Sequence, residues 1–355
     1  MFRLGNRLGY AARMEESLLA THEAVILCRA LARDQPAAFN DALARCLSNL
    51  SVRLSDLGQA QEALSAVEEA VGLYRALAAE RPAAYNADLA LPLTNLSAHL
   101  SALGRAQEAL SAVEEAVNLR RALAAERPAA YNADLATSLN NSSNHLSDLG
   151  RPQEALSAVE EAVNLRRALA AERPAAYNAD LAGSLHNLSN HLSDLGRAQA
   201  ALSAVEEAVY LYRALAAERP ASYNANLATS LHNLSSHLSN LGRAQEALSA
   251  VEDAVDLRRP LAAELPAAHN AELAISIQSL SHRLMDRGRQ EEALLVIPEA
   301  VDLYRALAAE RPARFNRRLM ESLAILGKAM MDLGLHVPMN IVQEIRALKA
   351  TLGPE

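Results

Sequence analysis

Three side-chain types recur in this sequence at one interval, and each brings a different chemistry. Asn49, Asn95, Asn141, Asn187 and Asn233 stand 46 residues apart, with Ser279 at the next step. A primary amide donates through its NH2 and accepts through its oxygen, so one Asn can meet both groups of a peptide bond. His99, His145, His191 and His237 keep the same interval. Imidazoles hold a metal only when their nitrogens converge about 2 Å from one ion, and these recur a full repeat apart, so no metal site is expected. Glu114-Glu115 and Glu160-Glu161 offer the paired carboxylates of glycoside chemistry. A catalytic pair is singular, however, and this pair returns in nearly every repeat, as a solvated helix face does. G-x-S-x-G, P-loop and H-E-x-x-H patterns are absent. No catalytic residue and no cofactor is expected, and the chain does not read as an enzyme.

What must position these ladders is the repeat itself. Gly58, Gly104, Gly150, Gly196, Gly242, Gly288 and Gly334 stand 46 apart, as do Pro36, Pro82, Pro128, Pro174, Pro220, Pro266 and Pro312. Asn40, Asn86, Asn132, Asn178, Asn224, Asn270 and Asn316 form a third such column. A fixed period in the 20–50 range is the signature of a solenoid or array. Aromatic residues are only 3% and Trp is absent, so the core must be Ala, Leu and Val, residues whose helix propensity and small volume favour close helix packing. The expected class is all-α. A net charge of −8 provides no basic surface for a phosphate backbone, which excludes nucleic acid as the expected partner. No apolar run reaches the roughly 18 residues needed to cross a membrane, and no signal peptide is visible. Cys28 and Cys46 lack metal spacing and read as small apolar residues in a reducing compartment, with the cytoplasm as the default.

Within one repeat, Asn86 to Tyr131, the pattern divides into two helices. Asn86 reads as an N-cap, with Asp88 favourably placed in the first turn. Leu89, Leu93, Leu96 and Leu100 then make one apolar stripe, which Leu103-Gly104 ends. A second stripe runs through Ala109, Leu110, Val113, Ala116, Val117, Leu119 and Leu123, and stops before Pro128. These spacings predict a helix A of about 17 residues and a helix B of about 21, roughly 25 Å and 32 Å long. A hairpin this small cannot bury its own stripes and must stack on its neighbours.

These residues resemble the tetratricopeptide repeat. Leu93, Leu96, Ser97 and Leu100 fall on that motif's large and small positions in helix A, and Gly104, Ala109, Val113 and Ala116 on its turn and helix B positions. Pro128 stands at its closing Pro. The common repeat has 34 residues and this one 46, a length similar to that of kinesin light chain and of arrays on bacterial and fungal signalling proteins. The resemblance implies a right-handed α/α superhelical solenoid whose concave groove is lined by one face of helix A. Four columns share that face: Leu91, Thr137, Gly183, Thr229; Thr94, Asn140, His186, His232; Ala98, Asn144, Asn190, Ser236; and Ala102, Asp148, Asp194, Asn240. They change while the framework stays nearly constant, so they are the expected specificity residues, unless they are simply a solvated face. Stacked helices lie about 8–10 Å apart and an extended peptide advances about 3.3 Å per residue, so one Asn per repeat would meet every third peptide bond. Co-chaperone repeats and the O-linked N-acetylglucosamine transferase use Asn in this way. The basic residues of the co-chaperone carboxylate clamp are missing from these columns.

The expected function is therefore a scaffold binding an extended peptide or partner segment, with no nucleic acid or membrane partner. The expected organisation is one solenoid over 1–355, with units at 1–39, 40–85, 86–131, 132–177, 178–223, 224–269, 270–315 and 316–355. The first unit begins partway through a helix A, since Leu4-Gly5, Leu8 and Glu16 match Leu96-Ser97, Leu100 and Glu108. Two alternatives remain: a structural solenoid that self-assembles through this incomplete unit, or the sensor fragment of a larger signalling protein. Ile341, Ile345 and Leu348 form the stripe of a capping helix. Ser142 replaces a core Leu, a loss worth about 2–5 kcal/mol, and Pro92, Pro260 and Pro298 are expected to kink their helices. Tyr85, Tyr131, Tyr177 and Tyr223 are expected to pin each Pro turn to the next helix A.

Overall fold

A computed structural model describes residues 2–352, with side chains from residue 16 onward. The described residues form helices joined by short turns, and the chain divides into two compact units, Met1–Tyr177 and Asn178–Glu355. The first contains α1 (Phe2–Asp34), α2 (Pro36–Asp56), α3 (Ala60–Glu80), α4 (Pro82–Ala102), α5 (Ala106–Glu126), α6 (Pro128–Asp148), α7 (Pro152–Glu172) and the start of α8 (Pro174–Asp194). The second holds the rest of α8, then α9 (Ala198–Glu218), α10 (Pro220–Asn240), α11 (Ala244–Glu264), α12 (Pro266–Asp286), α13 (Gln290–Glu310), α14 (Pro312–Asp332) and α15 (Met339–Leu352). Even-numbered helices from α2 to α14 are the A helices of the repeat, and odd-numbered ones from α1 to α13 its B helices. The architecture is an all-α solenoid of helix-turn-helix repeats.

Both helix ends follow from two residues. Arg81 lies outside helical space (φ −138, ψ 75) and Pro82 opens α4 as its first residue, where a missing N–H costs nothing. Each A helix ends on a glycine in the left-handed region; Gly104 has φ 75, and Arg105 N–H donates back to Leu100 O at 2.9 Å, closing a Schellman turn. The helices therefore differ from the sequence expectation at one end. Asn86 is not an N-cap; it lies inside α4, which has 21 residues rather than about 17. The Pro-Ala-Ala-Tyr stretch is the first turn of helix A, not a link. A proline after a non-helical residue both ends one helix and begins another.

Within a unit, A helices such as α4 pack between two B helices. The buried stripe Leu89, Leu93, Leu96 and Leu100 meets Leu64, Val67 and Val71 on one side and Ala109, Ala112 and Ala116 on the other. Burying one such Leu contributes roughly 2 kcal/mol, and alanines with no exposed surface let the backbones approach. Successive A helices also touch directly, α2 with α4 and α12 with α14. On the B helices, ion pairs link successive repeats within each unit: Arg29–Glu69 at 2.5 Å, Arg75–Glu115 at 2.5 Å and Arg121–Glu161 at 2.7 Å in the first, Arg213–Asp253 at 3.0 Å and Arg259–Glu299 at 2.9 Å in the second. One carboxylate of each repeated acid pair thus serves register, though such exposed pairs contribute only about 0–1 kcal/mol each. The helix-opening tyrosines are held by the arginine before them, Arg81 to Tyr85 at 2.9 Å and Arg127 to Tyr131 at 2.8 Å, with each guanidinium 5.0 Å from the ring centroid.

The irregular positions have physical consequences. α1 runs unbroken over Phe2–Asp34, whereas the sequence frame puts an A–B turn there; Ala12 occupies the column that is Gly58 and Gly104 elsewhere, and Ala resists the left-handed turn. The side chains of Leu4 and Leu8, and residue Gly5, which carried the frame match, lie outside the described side chains. Pro92, Pro260 and Pro298 sit inside α4, α11 and α13, which continue through them. Ser142 is buried in the Leu column and borders a cleft of about 400 Å³ lined also by Val117, Leu139, Leu146 and Ala158. α15 closes its end of the second unit, with Ile341 buried and Ile345 and Leu348 packed beside Phe315 and Leu319.

Candidate peptide-binding face

In the first unit the structure brings together members of three predicted sets. Asn141 of the Asn ladder, Asn144 and Asp148 line a cleft of about 410 Å³ with Ser97, Ala98 and His145, between α4 and α6. Asn95 and Asn141 are half-buried and their amides have no hydrogen-bond partner among the described residues; Asn49 is exposed. Asn144 and Asp148 are exposed as well. His145 is buried and bonds Ser97 across the repeat at 2.7 Å. Burial pulls its pKa below the ordinary imidazole value, against the weaker opposing pull of Asp148, so it is neutral near pH 7.

The second unit holds a tighter polar network. Asn233 donates to Asn190 Oδ1 at 2.7 Å and faces His186 Nε2 at 3.3 Å. An amide NH2 can only donate, so His186 Nε2 accepts, and the ring proton belongs on Nδ1, 3.3 Å from Ser230 Oγ. Both Asn233 hydrogens are thereby used, and its Oδ1 alone remains to meet a peptide N–H. His232 repeats the arrangement with Ser276 Oγ at 3.3 Å. Burial first, then neighbouring positive charge, pulls both imidazoles down to about 4: His237 acts on His186, and Arg258, Arg283, Arg318 and His186 act on His232. Asn187 is half-buried, Ser236 donates to the His232 carbonyl at 3.3 Å, and Asp194 and Asn240 are exposed at the helix ends.

Two threonines of one predicted column bond to the following B helix. Thr137 and Thr229 each accept a bond at 3.2 Å from an arginine on the following B helix, Arg166 and Arg258. At the same step Gly183 leaves room for Tyr212, whose hydroxyl a Cβ would meet at 3.4 Å. The B-helix column opposite reads Tyr74, Arg120, Arg166, Tyr212, Arg258, Tyr304, and Thr stands opposite Arg at two of its steps. These arginines are buried, Arg258 being 3% exposed. Arg120 bonds Ser138 and the Asp134 carbonyl, and Arg258 bonds Ser276 and the Glu272 carbonyl. Sequence reasoning missed this column, although Tyr alternating with Arg at one repeat position was a readable signal of shared buried volume. Asn140, on the second column, is half-buried, and its carbonyl accepts from the Ser143 hydroxyl at 2.8 Å.

The His ladder is structural in its contacts. His99, His145 and His237 are buried, and burial lowers the pKa of each. Among the described residues no three His, Cys, Asp or Glu side chains converge as a metal site, and no described helix is long and apolar enough to cross a membrane.

Stacked helix pairs with a repeated polar face on the A helices define a helical-repeat protein. A tetratricopeptide-repeat family model matches residues 43–80, 135–172, 181–218 and 227–259, and a model of anaphase-promoting complex subunit 5 matches 78–127. Over these stretches the chain resembles the tetratricopeptide-repeat family. Among solved structures it is similar to BtubC (BKLC) from P. vanneervenii, at 21% identity over 70% of this chain and 92% of that one, with a TM-score of 0.55. A chain of the APC/C hetero-tetramer Cut9-Hcn1 matches at 13% identity over 87% of this chain and 46% of its own, also at 0.55. Both likenesses are of fold. No curated protein sequence matches the chain.

Proposed function

We propose that the A-helix face of this protein captures an extended segment of a partner protein, with the Asn ladder binding its backbone and neighbouring columns selecting its side chains. The observation that carries the reading is the cleft between α4 and α6, where the partnerless Asn141 amide lies beside Asn144 and Asp148. A half-exposed amide with no protein partner can exchange its water for a peptide group, a bond worth about 1 kcal/mol, which supports a binding role over a packing role for Asn95 and Asn141. Asp148 sits at the C-terminal end of α6, where the helix dipole disfavours negative charge. A donor-bearing side chain, amide or cationic, suits that position. Thr137 and Thr229 spend their hydroxyls on Arg166 and Arg258, so the specificity set we propose centres on Asn140, Asn144, Asp148, His186, Asn190, Asp194, His232, Ser236 and Asn240. The reading assigns no catalysis. It places the protein in the cytoplasm, where unbridged cysteines are the rule. Hydrogen exchange with a peptide selected from a random library tests it: protection should appear on α4 and α6, and protection confined to α5 and α7 would refute it.

A second reading rests on α1, whose Leu19, Ile26 and Leu27 are 64%, 64% and 65% exposed. A second copy of the chain covering this face would make the array self-associating. Light scattering over a concentration series tests it; a constant monomer mass counts against it.

A further inference from the structure

The chain has two cysteines, Cys28 in α1 and Cys46 in α2. Folding brings their Sγ atoms to 3.6 Å, with both side chains half-buried against Leu18, Val25, Phe39 and Leu43. The pair occupies a repeated cross-helix position. Cys28 stands in the column of Arg120 and Arg258, and Cys46 in that of Ser138 and Ser276, so the contact is the one that the Arg120–Ser138 and Arg258–Ser276 hydrogen bonds make elsewhere. The fold therefore holds these two positions together independently of the cysteines. A disulfide needs sulfurs about 2.05 Å apart, roughly 1.5 Å closer than here.

We propose that Cys28 and Cys46 form a reversible dithiol–disulfide modification site that covalently joins α1 to α2, with a low-molecular-weight disulfide of the glutathione class as oxidant. One cysteine thiolate attacks the small disulfide, forms a mixed disulfide and expels one small thiolate, which takes up a proton. The second cysteine loses its proton and attacks the protein sulfur of the mixed disulfide, breaking that bond and releasing the second small thiol. The protein gives up two electrons and two hydrogens, and one small disulfide becomes two small thiols. Burial raises the Cys46 thiol pKa, with a further contribution from Cys28, so Cys46 rests as a thiol near neutrality and closure accelerates with pH.

The test uses the full chain, reduced and then incubated with oxidised glutathione at pH 8. The expected product has lost two hydrogens by intact mass, carries no glutathione, shows no free thiol and melts at a higher temperature; dithiothreitol reverses all four changes. Cys46→Ser should instead retain one glutathione adduct at Cys28. Two stable adducts on the wild type, or two thiols still free after the incubation, would overturn the proposal.

Discussion

Asn233 gives one amide hydrogen to Asn190 and the other to His186, one repeat back along the same face, whereas Asn141 at the equivalent position makes no such bond. The Asn ladder is thus not uniform. Asn233→Ala should cost about 1 kcal/mol of stability through the lost bond, while Asn141→Ala should cost less than about 0.5 kcal/mol. Urea unfolding of the two variants measures the difference, and equal losses would mean that the two amides are equivalently held.

The Leu column has one gap. Ser142→Leu should fill the cleft bordered by Val117, Leu139 and Leu146 and raise stability by about 1–2 kcal/mol. The reverse change at an intact position, Leu96→Ser, should lose about 2–5 kcal/mol. Thermal melts of the two proteins check both signs; a destabilised Ser142→Leu would mean the cleft is too shallow for the side chain.

The Thr–Arg pairing predicts coupling. Arg258→Tyr should destabilise the second unit because its bonds to Thr229, Ser276 and the Glu272 carbonyl are lost, and Thr229→Gly should cost less in that background than in the wild type. A double-mutant cycle should give an interaction of about 1 kcal/mol or more. Strict additivity would contradict the hydrogen-bond explanation of this pair.

His186 and His232 have folded pKa values near 4, below the unfolded value of about 6.5. The unfolded chain therefore binds protons first as pH falls, so the stability these residues carry is complete above about pH 6.5 and is lost progressively toward pH 4. The melting temperature should fall over that window, and His186→Asn with His232→Asn should flatten the slope. An unchanged slope in the double variant would remove these two residues as its origin.

The repeat made the fold legible, because glycine and proline columns mark every turn and Leu stripes mark every buried face. Helix starts were not, because Pro82 is equally consistent with stopping one helix and opening the next, and Asn86 then looked like a cap. Contacts that cross repeats left no local trace. Arg75 meets Glu115 forty positions on, and Cys28 meets Cys46 through the B-to-A packing, so neither pairing is visible from spacing alone. Of the candidate face, the shared cleft of Asn141, Asn144 and Asp148 follows from their spacing on one helix. The bonds of Thr137 and Thr229 were not legible, because the arginines that make them lie on the other helix of the repeat.

The most direct test of peptide capture is a fluorescence-anisotropy titration of one library-selected peptide against the wild type and the Asn95→Ala, Asn141→Ala double variant, with melting curves recorded for both. Two lost amide contacts of about 1 kcal/mol each should weaken binding at least tenfold while the melting temperature barely changes. Equal affinity in a variant that is equally well folded would contradict the role of the Asn ladder and move the binding site off the A-helix face.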